Sequence, residues 1–304
     1  MADGHAPTIA DERPVDIYRL SAMEIWGGSG ARRERVKVPG LEADIHCVPH
    51  EGAAEGGDLH FLSTCAMGQI SRFTIADIAG HGHTAGPLSA RLRALIRKHI
   101  NTPNPTRFTQ ALNEEFAALS REGLFATALI VTYFAPTDHL IVCNAGHPRP
   151  LIRRASRGRW ELLDERCDGL VTQDHAKDAG VGNLPLGLLE GTRYPQYATP
   201  LEPGDALIAY TDAFIEAADP AGMQLGEQGL LALVQDLDPA RPDLRDEIIR
   251  RVDRHRGGAP ANDDATLLVL RHTADNPPPL RLSMRLKTLG KLVGVVRLDT
   301  GKGF

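Results

Sequence analysis

The stretch FATALIVTYF (Phe125–Phe134), the turn Pro136-Thr137-Asp138 and LIVCN (Leu140–Asn144) read as a β-hairpin. Both strands are apolar on both faces. Hairpins closed by tight turns argue for antiparallel sheets with helices packed outside them. Upstream, strand-like runs lie at Ala43–Val48, Leu59–Cys65 and Ser71–Ile78. A turn at Gly80–Gly82 follows, then a helix over Pro87–Ile100 with Leu88, Leu92, Leu95 and Ile96 on one face. Thr106 reads as the cap of a second helix, with Phe108, Leu112, Phe116 and Leu119 as its apolar stripe.

Downstream, short strands fit Arg149–Arg153, Arg159–Leu163, Gln196–Thr199 and Asp205–Tyr210. Helices fit Gly229–Leu237 and Leu244–His255, and a last core strand fits Ala265–Arg271. The order is strands, two helices, strands, two helices, strand, with no internal repeat. That predicts an α+β fold; parallel βαβ alternation fits it poorly. Three regions are expected: a linker or extension over 1–40, a main domain over 41–274, and a basic amphipathic segment over 275–304.

The chain has 304 residues, 42% hydrophobic and 24% charged, which excludes a collagenous or wholly disordered protein. A net charge of −5 gives no global basic field, so no nucleic-acid partner is expected. The longest apolar run, Phe125 to Ala135, is well short of a membrane span. No basic start followed by an apolar stretch marks a secretory signal. Cys47, Cys65, Cys143 and Cys167 are scattered without a C-x-x-C pair, as thiols of a reducing compartment, so the expected location is the cytoplasm.

The informative anomaly is Asp where apolar strands end: Asp58 in GGD, Asp77 in FTIADIAGHG, Asp212 in ALIAYTDA, and Asp263 with Asp264 in NDDATLLVL. An ionised carboxylate at the mouth of a core is costly unless paired, hydrogen-bonded or metal-bound. Any one of these is an ordinary turn former or cap. Four converging strand ends would instead make a cluster of hard oxygen ligands suited to Mg²⁺ or Mn²⁺. Two such ions a few Å apart can activate water and hold a phosphoryl group for in-line attack.

Seven short motifs then fall in order: GGD (Gly56–Asp58), ADIAGHG (Ala76–Gly82), NAGHP (Asn144–Pro148), LPLG (Leu184–Gly187), LEPGD (Leu201–Asp205), YTDAFIEA (Tyr210–Ala217) and DDAT (Asp263–Thr266). The set resembles the type 2C metal-dependent serine/threonine phosphatases, in the bacterial branch of stage II sporulation protein E and the sigma-factor regulatory phosphatases. The resemblance covers about residues 41–272. It implies an α-β-β-α sandwich of two antiparallel sheets flanked by helices, with two Mn²⁺ or Mg²⁺ ions at one end. By position, Asp77 would bridge the ions and the Ile78 carbonyl would add a ligand; Asp58, Asp212 and Asp263 would complete the site directly or through water. The implied function is hydrolysis of a phosphoserine or phosphothreonine protein by metal-bound hydroxide. The implied partner is a phosphorylated anti-sigma-factor antagonist.

Departures from the family pattern bear on activity. Ala213 stands where Gly is usual, and a positive φ there would strain it. That leaves a second reading: a catalytically weak or inactive phosphatase-fold scaffold that binds a signalling partner. Ala79 occupies the place of the eukaryotic general-acid His, so His81 receives no such role. His81 and His83 read as a glycine-rich turn rather than a zinc site, His147 as structural or a proton donor, and Asn144 as a turn former. Glu216 falls one helical turn after Asp212, as a helix-terminal charge or a metal ligand. Neighbouring side chains on a strand point to opposite faces, so one of Asp263 and Asp264 is expected to be a ligand.

Two further expectations concern the periphery. The long acidic loop Asp164–Asn183 reads as a specificity element or a loop without consequence. The segment after Asn276 carries Arg281, Arg285, Lys287, Lys291, Arg297 and Lys302 against Asp299 alone. Its apolar positions fit a strand or a helix. As an exposed edge strand it would pair with a second copy to make a homodimer; the other reading is that it folds back and covers its own domain.

Overall fold

Alternation along the strands decides the layering. The computed structural model describes residues 17–19, 25–65, 68–79, 85–119, 124–164, 167, 171–172 and 182–275. Its strands are β1 (Ile17–Arg19), β2 (Ile25–Gly28), β3 (Arg32–Val38), β4 (Leu41–Val48), β5 (Leu59–Cys65) and β6 (Ile70–Ile78). Helices α1 (Ala85–His99) and α2 (Pro105–Leu119) follow, then β7 (Ala126–Phe134), β8 (His139–Ala145), β9 (Leu151–Arg153), β10 (Trp160–Leu162) and β11 (Val171–Thr172). The chain continues through β12 (Gln196–Pro200), β13 (Ala206–Tyr210), α3 (Gly226–Val234), α4 (Leu244–His255) and β14 (Ala265–His272).

The strands form two seven-stranded sheets, in the orders β1-β3-β4-β14-β13-β9-β10 and β11-β12-β8-β7-β6-β5-β2. Pairing is antiparallel throughout except for β1, which runs parallel to β3. Leu129, Val131 and Tyr133 of β7 point into the core between the sheets, where they meet Leu207, Leu268 and Leu270 of the other sheet. Ala126, Ala128 and Ile130, on the opposite face, lie under Leu92 of α1 and Phe108 and Leu112 of α2. Both faces of β7 are therefore covered, which is why the hairpin is apolar throughout. On the other sheet, Leu267 and Val269 of β14 pack with Leu230 of α3 and Ile248 and Val252 of α4. Each fully buried side chain of this kind contributes about 1.5–3 kcal/mol, so three such layers suffice to fix the α-β-β-α order.

Two local features depart from the sequence reading. The stretch expected as a linker carries β2 and β3, with β3 paired along the length of β4. Its charges masked it: Arg35 and Lys37 form cross-strand ion pairs with Glu42 at 3.4 and 3.3 Å. The cap of α2 is Asn104, not Thr106: its Oδ1 accepts from the Arg107 amide at 2.9 Å, with Pro105 at the first helical position. Arg72 on β6 is buried beneath the α1–α2 connection. It donates to the Thr102 and Pro103 carbonyls at 2.7 and 2.8 Å and lies 4.5 Å from the centre of the Phe108 ring. Burial pulls its pKa down to about 10.

The Gly80–Gly82 turn with His81 and His83, most of the loop Asp164–Asn183, and the segment after Asp275 lie outside the described residues.

Candidate metal centre

Asp58 immediately precedes β5 and Asp77 is the penultimate residue of β6, in one sheet. In the other, Asp212 opens a single 3₁₀ turn (Asp212–Phe214) after β13, and Asp263 and Asp264 immediately precede β14. Antiparallel pairing sets these ends side by side: Leu59 faces Ala76, and Tyr210 faces Leu267. Thr211 joins the two sheets. Its hydroxyl donates to Asp58 Oδ2 at 2.9 Å and accepts from the Thr266 amide at 2.9 Å. Sequence reasoning passed over this threonine, although it sits inside the Tyr-Thr-Asp motif.

The carboxylates feel one another across the sandwich. Burial, then the charges of Asp212, Asp263, Asp264 and Glu216, push Asp77 up to about 7. Burial, Glu216 and Asp263 raise Asp212 to about 6. Asp58 is the most buried of these carboxylates: it is 1% exposed, and burial plus Asp77 drive its pKa well above the carboxylate range. Its Oδ1 is buried without a hydrogen-bond partner. None of Asp58, Asp77, Asp212, Asp263 and Glu216 has a Lys or Arg ion partner among the described residues. A cluster of this kind is stable in its ionised form only beside a cation.

Asp264 has a different part. Its carboxylate accepts from the backbone amides of His50 (2.5 Å), Gly57 and Asp58 (3.4 Å). A Cβ at Gly56 would fall 2.6 Å from that carboxylate, which accounts for the glycine. Asp264 thus holds the Gly-Gly-Asp loop that delivers Asp58, and its own amide donates to Asp263 Oδ1 at 2.8 Å. Ile78 ends β6 next to Asp77, with its side chain buried toward the helices. Glu216 is exposed and lines a cleft of about 660 Å³ together with Ala213, Asp263 and Arg256. Ala213 has no positive φ; it lies in the 3₁₀ turn with its carbonyl accepting from Arg256 Nη2 at 2.8 Å. The strain expected at Ala213 is absent.

The other motifs are structural fasteners. Asn144 brackets the His147 backbone, accepting from its amide at 2.8 Å and donating to its carbonyl at 2.9 Å. Leu186 of LPLG exchanges both backbone hydrogen bonds with Ala126, while the Gly187 amide donates to Asn113 of α2 at 2.9 Å. Asp205 of LEPGD is 2% exposed and accepts from the Ala155 and Glu202 amides.

The donor set fits hard divalent ions: all-oxygen, net negative, with a buried oxygen left unpartnered. Among the described residues, no group of three or more His, Cys, Asp or Glu side chains is placed so that it could hold a metal ion as the side chains stand.

The structure is similar to that of the RsbU and RsbW domains of Rv1364c from Mycobacterium tuberculosis, at 25% identity and a TM-score of 0.64. The alignment covers 85% of this chain and 64% of that one. It is also similar to the PP2C phosphatase domain with a regulatory-domain fragment of SpoIIE from Bacillus subtilis (17% identity, TM-score 0.59, 83% and 64% covered). A third similar structure is RsbX in complex with magnesium (16% identity, TM-score 0.53, 82% and 100% covered). The chain spans just under two thirds of the first two. The family model for stage II sporulation protein E matches residues 69–273, a span that includes Asp77, Asp212 and Asp263 and begins after Asp58. With more than half of its length matched and the two-sheet architecture in place, the chain belongs to the stage II sporulation protein E family of type 2C phosphatase-fold proteins.

Proposed function

We propose that the chain is a metal-dependent phosphoserine/phosphothreonine protein phosphatase. The observation that supports this best is the uncompensated carboxylate cluster of Asp58, Asp77, Asp212 and Asp263 where both sheets end. These four side chains, with the Ile78 carbonyl, would hold two Mn²⁺ or Mg²⁺ ions. When bound, the ions supply an acidified water and positive charge for the phosphoryl oxygens. Thr211 orients Asp58 through its hydroxyl, and Asp264 keeps the Asp58 loop in place. Arg256 holds the Ala213 peptide and so the turn that carries Asp212. No cysteine is needed as nucleophile: burial raises the thiols of Cys47 and Cys143 to about 12, so neither is a thiolate at neutral pH.

The substrate class is a phosphorylated regulatory protein, an anti-sigma-factor antagonist in the setting suggested by the RsbU and SpoIIE neighbours. Four free cysteines fit a reducing cytoplasm. Among the described residues no helix is long and apolar enough to cross a membrane. A homodimer through residues 275–304 belongs to the same reading, and truncation after Ala274 should then halve the mass in solution.

The scaffold alternative loses the support of Ala213, whose backbone is unstrained. Hydrolysis of p-nitrophenyl phosphate and of a phosphoserine protein, with and without Mn²⁺, tests the proposal. Mn²⁺-dependent turnover is expected. Binding of a phosphoprotein without turnover at saturating Mn²⁺ would instead establish the scaffold.

A further inference from the structure

The chain passes from β8 in one sheet to β9 in the other through Asn144-Ala-Gly-His-Pro148. This crossing is fastened at several points. Gly146 adopts φ 69° and packs so closely on Pro185 that a Cβ would fall 2.6 Å from its ring. Asn144 holds both the amide and the carbonyl of His147. The imidazole is thereby set in a buried position, 5% exposed, where Nδ1 meets Thr127 Oγ1 at 2.8 Å. Thr127 is the direct cross-strand neighbour of Asp77.

The other ring nitrogen, Nε2, is buried without a hydrogen-bond partner. Beyond the crossing, β9 pairs with β13, the strand that ends at Tyr210, two residues before Asp212. Burial keeps the imidazole neutral, so it carries a single N–H. Either tautomer keeps the bond to Thr127, with Nδ1 accepting from the hydroxyl or donating to it. His147 thus ties the crossing between the sheets to the strand pair that holds Asp77.

We propose that His147 is a positioning residue: fixed in the crossing between the sheets and bonded to Thr127, it sets the relation of Asp77 to Asp212. The proposal rests on the metal-centre reading above. In that reading the two aspartates lie in different sheets, and a change in their relation weakens ion binding even though no ligand is removed. Groups that orient metal ligands typically change affinity by about 10–100-fold when lost.

Calorimetric titration of the full chain with Mn²⁺, alongside circular dichroism of the metal-free protein, provides the test. His147→Ala and Thr127→Val should each weaken Mn²⁺ binding about tenfold or more with the fold retained. Because both break one connection, the double variant should lose no more than the weaker-binding single variant. His147→Asn, whose carbonyl can still accept from Thr127, should recover part of the loss. Undiminished Mn²⁺ affinity in folded His147→Ala would overturn the role; if that variant does not fold, undiminished affinity in Thr127→Val would overturn it. A wild-type chain that binds no Mn²⁺ would overturn the metal-centre reading itself, and this proposal with it.

Discussion

Asp44 lies within β4 and Asp58 just ahead of β5, and both are 1% exposed. Around Asp44 the protein supplies its own countercharge. Arg35 Nε lies 2.7 Å from Oδ1, Arg271 donates to Oδ2, and Arg245 of α4 stands at 3.9 Å. Arg245 also donates to the Ile45 carbonyl, so the cluster ties α4 to its sheet. Around Asp58 there are hydroxyls and other carboxylates, with one oxygen unpartnered. Burial imposes a similar desolvation cost on both. One site offsets it within the fold and serves stability; the other leaves the offset to something from outside, which is what an ion-binding site requires.

The sharpest way to break this comparison is to neutralise the open cluster. Asp77→Asn or Asp212→Asn should lower Mn²⁺-dependent phosphatase activity by about a thousandfold or more, about 4 kcal/mol in transition-state stabilisation, with circular dichroism unchanged. Wild-type rates in both would remove the catalytic role of the cluster. The closed cluster should answer in stability instead. Asp44→Ala strands buried Arg245 and half-buried Arg35 and Arg271 and should cost about 3–5 kcal/mol in urea denaturation, whereas a loss below about 1 kcal/mol would mean the arginines re-pair elsewhere.

A smaller effect of opposite sign is expected at Asp77. A carboxyl whose folded pKa lies above its unfolded value favours folding while protonated, and that advantage is lost as pH rises from the unfolded value through about 7. At pH 8 without metal, Asp77→Asn should therefore melt higher than wild type. Adding Mn²⁺ should reverse the order.

Protons compete with ions for the same oxygens, so the Mn²⁺-induced rise in melting temperature should be larger at pH 8 than at pH 5.5. The transition should span about 6 to 7, where Asp212 and Asp77 ionise. His46 and His60, buried and held neutral with pKa values near 4, affect metal-free stability in the opposite sense. They cancel in the difference between metal-loaded and metal-free protein. A pH-independent increment would place ion binding away from these aspartates. The smallest expected change is at Asp264→Asn: a stability loss of about 1–3 kcal/mol from unsettled amides, and a milder loss of activity than Asp263→Asn.

Much of the fold was legible in residue order because side-chain direction along a strand or helix is a local property. The 125–144 hairpin, the run Leu59–Cys65 and the helix Leu244–His255 stand where their patterns place them. The strand at Arg32–Val38 was hidden because its charges are neutralised by Glu42 and Asp44 on the neighbouring strand, and spacing alone does not reveal a partner.

The site divides in the same way. Sequence by itself determined which carboxylates sit at strand ends, and the order of the motifs that carry them. Only the tertiary structure decided that Asp264 is taken up by the Gly57 and Asp58 amides, that Thr211 links Asp58 to the second sheet, and that His147 reaches Thr127. It also decided that Asp44 is neutralised while Asp58 is not. Periodicity is set within a few residues, but the charge a buried aspartate meets is set by groups such as Arg271 and Thr211, brought to it from far along the chain.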